Sequence, residues 1–184
     1  YIGMTLLQIV LLLIGNIPLF DTLCIAFGTA GTGGFGIKND SIASYSTYNQ
    51  VVITVFMILF GINFNAYYLL LTKKVMQAAK NEEVRYYLGI IGLAIVAIAI
   101  NTREMFTSFG RAFQQAAFQV GSIITTTGYA TTDFNVWPVF SKTILVILMF
   151  VGACAGSTGG GIKVSRLLIL CKFARKELQL YLHP

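Results

Sequence analysis

Four stretches of the chain are almost purely apolar, and the polar residues collect between them. Ile2 to Phe20 carries no charged residue, and neither do Val51 to Leu71, Tyr86 to Ile100 and Thr143 to Gly161. Each approaches the ~20 residues that a bilayer-spanning helix needs, so four spanning helices are predicted. Between the first and second lies Asp21 to Gly31, and between the third and fourth lies Phe109 to Thr125. Both are too short to span and read as half-length helices. The last apolar pattern continues from about Val139 to beyond Leu170, but four glycines between Gly156 and Gly161 interrupt it. Each glycine costs a helix roughly 1 kcal/mol relative to alanine, so a break is predicted there.

The pattern repeats. Each half reads apolar helix, short helix, Gly/Thr loop, apolar helix, and internal repeats of this kind set the architecture before any single motif does. The first loop is Thr32-Gly33-Gly34-Phe35-Gly36 and the second is Thr126-Thr127-Gly128-Tyr129-Ala130. Both fit Thr, any residue, Gly, aromatic, small, and both run into polar stretches, Lys38 to Asn49 and Thr131 to Asn135. The predicted fold class is all-α transmembrane, with four spanning helices plus two re-entrant pore helices in two repeats. The repeats are bounded at 1–72 and 86–184, with a linker at 73–85.

Composition changes the picture only by confirming the class. Of 184 residues, 56% are hydrophobic and 11% are charged, well below the ~25% charge of a soluble domain. Ile2 to Phe20 lacks the basic start and small-residue cleavage site of a secretory signal, and is expected to be permanent. A chain that starts at Tyr1 without Met is expected to be an excerpt. The net charge of +6 reads as orientation rather than as a nucleic-acid surface. With the first helix running outward, Lys73, Lys74, Lys80, Arg85, Lys163, Arg166, Lys172, Arg175 and Lys176 fall inside, against Lys38, Arg103, Arg111 and Lys142 outside. That bias has the sign of the positive-inside rule.

Catalytic chemistry finds no foothold. Cys24, Cys154 and Cys171 have no CxxC spacing, and the single histidine is His183, so neither a disulfide framework nor a zinc site is indicated. Gly31 to Gly36 formally matches GxGxxG, but no strand precedes it. Gly156 to Lys163 resembles a phosphate loop, yet Ile162 separates Gly161 from Lys163, and Val164 stands where Ser or Thr is required. A membrane enzyme acting on a phosphorylated substrate would lack base, nucleophile and metal. The expectation is not an enzyme.

The loops suggest different chemistry. Irregular backbone at membrane depth must be buried in protein or line a water-filled cavity, and rings of carbonyls can replace the water of a potassium ion. Gly34 and Gly128 then align the carbonyls, the threonines add hydroxyl oxygens, and Phe35 and Tyr129 wedge the loops against their scaffold. The ion-binding set is Thr32, Gly33, Gly34, Phe35, Gly36, Thr126, Thr127, Gly128, Tyr129 and Ala130, with K+ held through backbone carbonyls. The break at Gly156, Ser157, Thr158, Gly159, Gly160, Gly161 and Lys163 is expected to be a mobile loop obstructing the pore. Asn63 and Asn65 of Gly61 to Asn65 occupy the matching place in the first half and should hydrogen-bond nearby backbone or helices. Asp21 is expected to cap its half-helix, Asp40 and Asp133 to attract cations, Arg103 and Glu104 to pair, and Arg111 to be solvated or to support a loop.

Three segments, Gly33 to Asp40, Thr125 to Phe134 and Gly156 to Val164, together resemble the TrkH/KtrB superfamily of bacterial potassium uptake proteins, and TrkH more than KtrB. The resemblance covers essentially the whole chain. It implies four M1-P-M2 repeats around a pseudo-fourfold pore, of which this chain supplies the second and third, with Leu182-His183-Pro184 at the junction to the fourth. It implies that Gly34 and Gly128 are filter glycines and that Gly156 to Lys163 is an intramembrane gating loop. It further implies a multi-pass protein of the bacterial cytoplasmic membrane, a homodimer, and a TrkA-type cytoplasmic ring that carries a nucleotide (NAD or ATP). The chain itself is expected to bind no cofactor. A sodium-coupled or less selective monovalent cation (Na+/NH4+) transporter on the same scaffold is the alternative.

Overall fold

The computed structural model describes residues 1–74, 76 and 81–182. Lys80 of the proposed inner charge set, His183, and Pro184 of the proposed junction lie outside the described residues. Among the described residues the fold is helical, with Val151 and Ile162 forming an isolated bridge.

The first half begins with α1, Ile2–Ile14, which is shorter than the apolar run that contains it. The chain turns at Gly15 and Asn16, the latter in the left-handed region at φ 62°. Pro18 then precedes α2, Leu19–Ala30. Proline has no N–H to give a continuing helix but is tolerated at a helix start, so one apolar run becomes two helices. α3, Thr47–Phe60, begins where the Ser46 hydroxyl accepts from the Asn49 N–H, and α4 spans Phe64–Leu71. Gly61 to Asn63 separate α3 from α4, and the two axes meet at 92°.

The second half repeats this order. α5, Glu82–Asn101, starts at Asn81, whose side-chain oxygen accepts from the Glu83 N–H. α6, Phe109–Ile124, is capped by Ser108, in close agreement with the half-helix expected at 109–125. α7, Val139–Phe150, and α8, Val164–Leu182, flank a non-helical loop at 151–163.

Four uninterrupted spanning helices are therefore not what forms. Among the described residues α5 alone is long and apolar enough to cross a membrane, and the bent α3–α4 pair makes a second only if taken as one span. α1 has 13 residues, about 20 Å of helix against a hydrocarbon core of roughly 30 Å. The half-helix expected at 21–31 begins earlier, at Leu19.

α6 packs against α5, α3 and α7, and so joins the halves. One core cluster unites Leu12, Ile25, Ile53 and Met57 of the first half with Phe118 and Tyr129 of the second. The other is built on α5, α6 and α7 around Tyr87, Ile98, Ile124 and Leu145. Large apolar side chains such as Leu7, Leu93, Ile147 and Phe150 point outward, as a surface meant for lipid requires.

Candidate functional site

The two Thr-x-Gly loops leave the C-termini of α2 and α6 in the same way. In the first, the N–H groups of Gly31, Thr32 and Gly33 donate back to the carbonyls of Phe27, Thr29 and Gly28. In the second, Thr126 donates to Ile123, and Thr127 and Gly128 both donate to Ser122. The helix end thus consumes the loop's donors. Among the described residues, no hydrogen-bond donor reaches the carbonyls of Thr32, Gly33, Gly34, Thr126, Thr127 or Gly128.

The dihedral angles match as well. Thr32 and Gly34 have φ of 51° and 69°, and Thr126 and Gly128 have 57° and 88°. Gly33 and Thr127, between them, are not in that region. Positive φ at alternate positions thus recurs at equivalent places in both loops. A β-branched residue at positive φ is a genuine outlier, and strain of this kind persists only where its surroundings impose it. Two threonines pay that cost at equivalent positions.

The loops lie side by side. A Cβ on Gly34 would overlap the Thr127 carbonyl oxygen and come within 3.2 Å of the Gly128 carbonyl carbon. Beyond the loops, the Ile42 N–H donates to the Ala130 carbonyl at 3.1 Å, and the Ala130 N–H donates to the Ser41 hydroxyl at 3.2 Å.

The two aromatics part company. Tyr129 is fully buried; its hydroxyl donates to the Ile25 carbonyl on α2 at 3.3 Å, and its own carbonyl accepts from Ser122 at 2.6 Å. It wedges the second loop against the first half, as expected. Phe35 is 85% exposed and wedges nothing. The reason is geometric: Tyr129 packs on the half-helix of the neighbouring half, and Phe35 has no such neighbour among the described residues. Truncating Tyr129 to alanine is expected to cost about 3–5 kcal/mol, and Tyr129→Phe about 1 kcal/mol for the lost hydrogen bond. Thermal denaturation of the full-length protein should rank wild type, Phe, Ala. Equal melting temperatures would remove Tyr129 as a wedge.

Loop 151–163 lies beneath both. Its base is closed by Gly152 donating to the Ile162 carbonyl at 2.8 Å and Val164 donating to the Ala153 carbonyl at 3.3 Å. Its tip meets the threonines: the Gly160 N–H donates to the Thr126 hydroxyl at 2.7 Å, and the Thr32 hydroxyl donates to the Thr158 carbonyl at 3.1 Å. Gly156 and Gly161 take positive φ, 71° each. The Lys163 ammonium folds back onto the Gly159 carbonyl, and the Ser157 hydroxyl donates to Cys154. The break expected at 156–161 therefore begins earlier, immediately after Phe150.

The break in the first half touches this loop. Cys154 donates to the Gly61 carbonyl at 3.0 Å and Phe64 donates to the Gly156 carbonyl at 3.3 Å. Asn63 caps α4 through the Asn65 N–H at 2.8 Å and also reaches the Glu83 carboxylate at 3.3 Å.

Several polar residues take roles that the sequence did not announce. Asp21 does not cap α2, because Pro18 holds that place; its carboxylate accepts from the Tyr45 hydroxyl at 2.9 Å. Burial, that hydrogen bond and the charges of Asp21 and Asp40 push the Tyr45 phenol far above its ordinary range, so it stays a neutral donor. Asp40 and Asp133 line one depression of about 310 Å³ with Asn39 and 130–132. Arg111 is exposed, as one reading had it. Arg103 and Glu104 form no ion pair; adjacent helical residues do not face each other, and the pair among the described residues is Lys172–Glu82.

Sequence reasoning missed two groups. Gln50 accepts from Gln114 at 3.0 Å and donates to the carbonyls of Ala43 and Tyr45, while Gln115 accepts from Thr131. The signal was there: Gln114-Gln115 is a polar pair in a half-helix with an apolar face. Glu83, the second miss, is 9% exposed and reaches loop 151–163.

Outward-facing apolar side chains around strained Gly/Thr loops and broken helices fit the class of helical membrane proteins. Residues 86–184 match the family model described as TrkH, cation transport protein. The potassium uptake proteins TrkH of Vibrio parahaemolyticus and of Salmonella typhimurium are 33% and 30% identical over the whole chain, which spans 39% of each. The crystal structure of the potassium transporter TrkH from Vibrio parahaemolyticus superposes with a TM-score of 0.93 at 32% identity, over all of this chain and 41% of that one. The chain belongs to the TrkH family of cation transport proteins. It spans about two fifths of the length of these relatives.

Proposed function

We propose that the full-length protein takes up potassium ions across the bacterial cytoplasmic membrane, through a filter lined by backbone carbonyls. This chain would supply two of the four M1-P-M2 repeats, the first at 1–72 and the second beginning with α5 at Glu82, inside the linker expected at 73–85, with α2 and α6 as the re-entrant pore helices. The observation that carries the reading is the shared geometry of the two Thr-x-Gly loops. Each has positive φ at Thr and Gly, donors spent on the helix behind, and carbonyls free to replace the water around a cation. The relatives are named potassium uptake proteins, which supports K+ as the cargo. Transport of one charge down the membrane potential releases about 2.3 kcal/mol per 100 mV, so no catalytic chemistry is needed.

The exposure of Phe35 supports the fourfold arrangement. Each aromatic would pack on the half-helix of the preceding repeat, as Tyr129 packs on α2, and the repeat preceding Phe35 lies outside this chain. Loop 151–163, seated on Thr32 and Thr126, would be the gate. By family resemblance the protein forms homodimers, and a TrkA-type ring binding NAD or ATP controls that gate.

The test is rubidium and potassium uptake by the full-length protein in a host lacking its own potassium uptake, with and without sodium. Restored growth at low potassium, independent of sodium, is expected. Uptake that required sodium would favour the sodium-coupled alternative, and failure to restore potassium uptake would end the proposal.

A further inference from the structure

We infer that Glu83 is the latch that holds loop 151–163 seated beneath the two Thr-x-Gly loops. The inference rests on the gate reading above and adds a residue to it.

Glu83 lies in the first turn of α5, yet it is buried. A buried carboxylate is expensive unless hydrogen bonds replace its water. Here one oxygen accepts from the Ala155 N–H at 2.6 Å and from the Ser165 N–H at 3.3 Å. The other accepts from the Asn63 amide at 3.3 Å. Ala155 lies on the outgoing leg of the loop, and Ser165 is the second residue of α8, just past its return. One carboxylate thus fastens both legs of the loop together and ties them to the break between α3 and α4. Hydrogen bonds from N–H groups to a carboxylate are about twice as strong as neutral ones. The outward-pointing neighbour, Glu82, pairs with Lys172 on α8, so the same turn grips the segment after the loop a second time. A first-turn glutamate ordinarily faces solvent and complements the helix dipole. Burial with three donors from three other segments is a different role, and the tip contacts to Thr32 and Thr126 show which loop conformation it favours.

Full-length protein reconstituted in liposomes is assayed for rubidium flux without its regulatory subunit. Wild type is compared with Glu83→Ala, Glu83→Gln, a variant lacking residues 155–161, and that deletion combined with each substitution. Glu83→Ala should raise flux by about tenfold or more, the factor corresponding to loss of a hydrogen bond to a charged group. Glu83→Gln keeps the shape and one acceptor oxygen and should give a smaller rise, with potassium-over-sodium preference unchanged in both. In the deletion background neither substitution should add anything, because coupled sites are non-additive.

Three outcomes overturn the latch. If the deletion raises flux and both Glu83 variants stay at wild type, the gate stands and the latch falls. If the Glu83 effect persists in the deletion, Glu83 acts elsewhere in the structure. If the deletion itself leaves flux unchanged, the gate reading fails and the latch with it. Should Glu83→Ala not accumulate in the membrane, the near-isosteric Glu83→Gln completes the cycle alone.

Discussion

Gly34→Ala is expected to abolish rubidium uptake by the full-length protein while leaving its amount in the membrane near normal. Two costs combine. Alanine at φ 69° pays about 1–2 kcal/mol for the left-handed backbone. Its Cβ would also overlap the Thr127 carbonyl oxygen, a backbone atom that cannot swing away as a side chain would. Relief requires one loop to move, and moving either one misplaces carbonyls. A loss of about 100-fold or more corresponds to roughly 3 kcal/mol, which the dihedral cost alone does not reach.

Gly128→Ala sharpens the test. It carries the same backbone cost at φ 88°, but nothing among the described residues lies within 4 Å of its Cβ. If a further repeat stands beside the second loop as the second stands beside the first, Gly128→Ala will be as damaging as Gly34→Ala. If the pore is not closed that way, Gly128→Ala will lose only about tenfold, the dihedral cost by itself. Wild-type flux in Gly34→Ala would remove the carbonyl-lined pathway altogether.

What the sequence revealed, and what it hid, follows from where the information sits. The half-helix at 109–124 was legible because a segment too short to span runs directly into the Thr-rich loop; its Ser108 cap came only with the structure. The loops were legible because the Thr-x-Gly-aromatic pattern recurs. Hydropathy concealed the breaks: Ile2 to Phe20 reads as one helix because Gly15 and Asn16 are only two residues in an apolar run, while the geometry turns on Asn16 and Pro18. The early exit at Phe150 was hidden likewise, since Val151 to Cys154 are apolar or small, yet their N–H groups at Gly152 and Cys154 bond to the loop's return leg and to Gly61. Phe35 and Tyr129 show the other limit. The same motif gives one exposed and one buried aromatic, because Tyr129 packs on α2 while Phe35 meets no such partner among the described residues. Glu83 was invisible for a related reason: its partners lie 20 to 82 positions away, and locally it reads as an ordinary first-turn acid.

Replacing Gly159, Gly160 and Gly161 together with alanine is expected to unseat loop 151–163 and raise basal rubidium flux by about tenfold or more, the factor that 1.4 kcal/mol represents. Each position contributes a separate obstacle. A Cβ on Gly159 would stand 2.7 Å from the Ala153 methyl and 3.2 Å from the Thr125 carbonyl oxygen. One on Gly160 would press to 3.0 Å on the Thr126 hydroxyl, the atom that receives the Gly160 N–H. Gly161 sits at φ 71°, where alanine costs about 1–2 kcal/mol. The Thr-x-Gly loops keep their own bonds to α2 and α6, so potassium-over-sodium preference should survive while the response to the proposed TrkA-type subunit is blunted. Flux into liposomes, measured with and without that subunit, separates the two effects. Lost selectivity would mean that the loop supports the pathway rather than blocks it. Wild-type flux with wild-type regulation would mean that the three glycines serve only a tight crossing of helices.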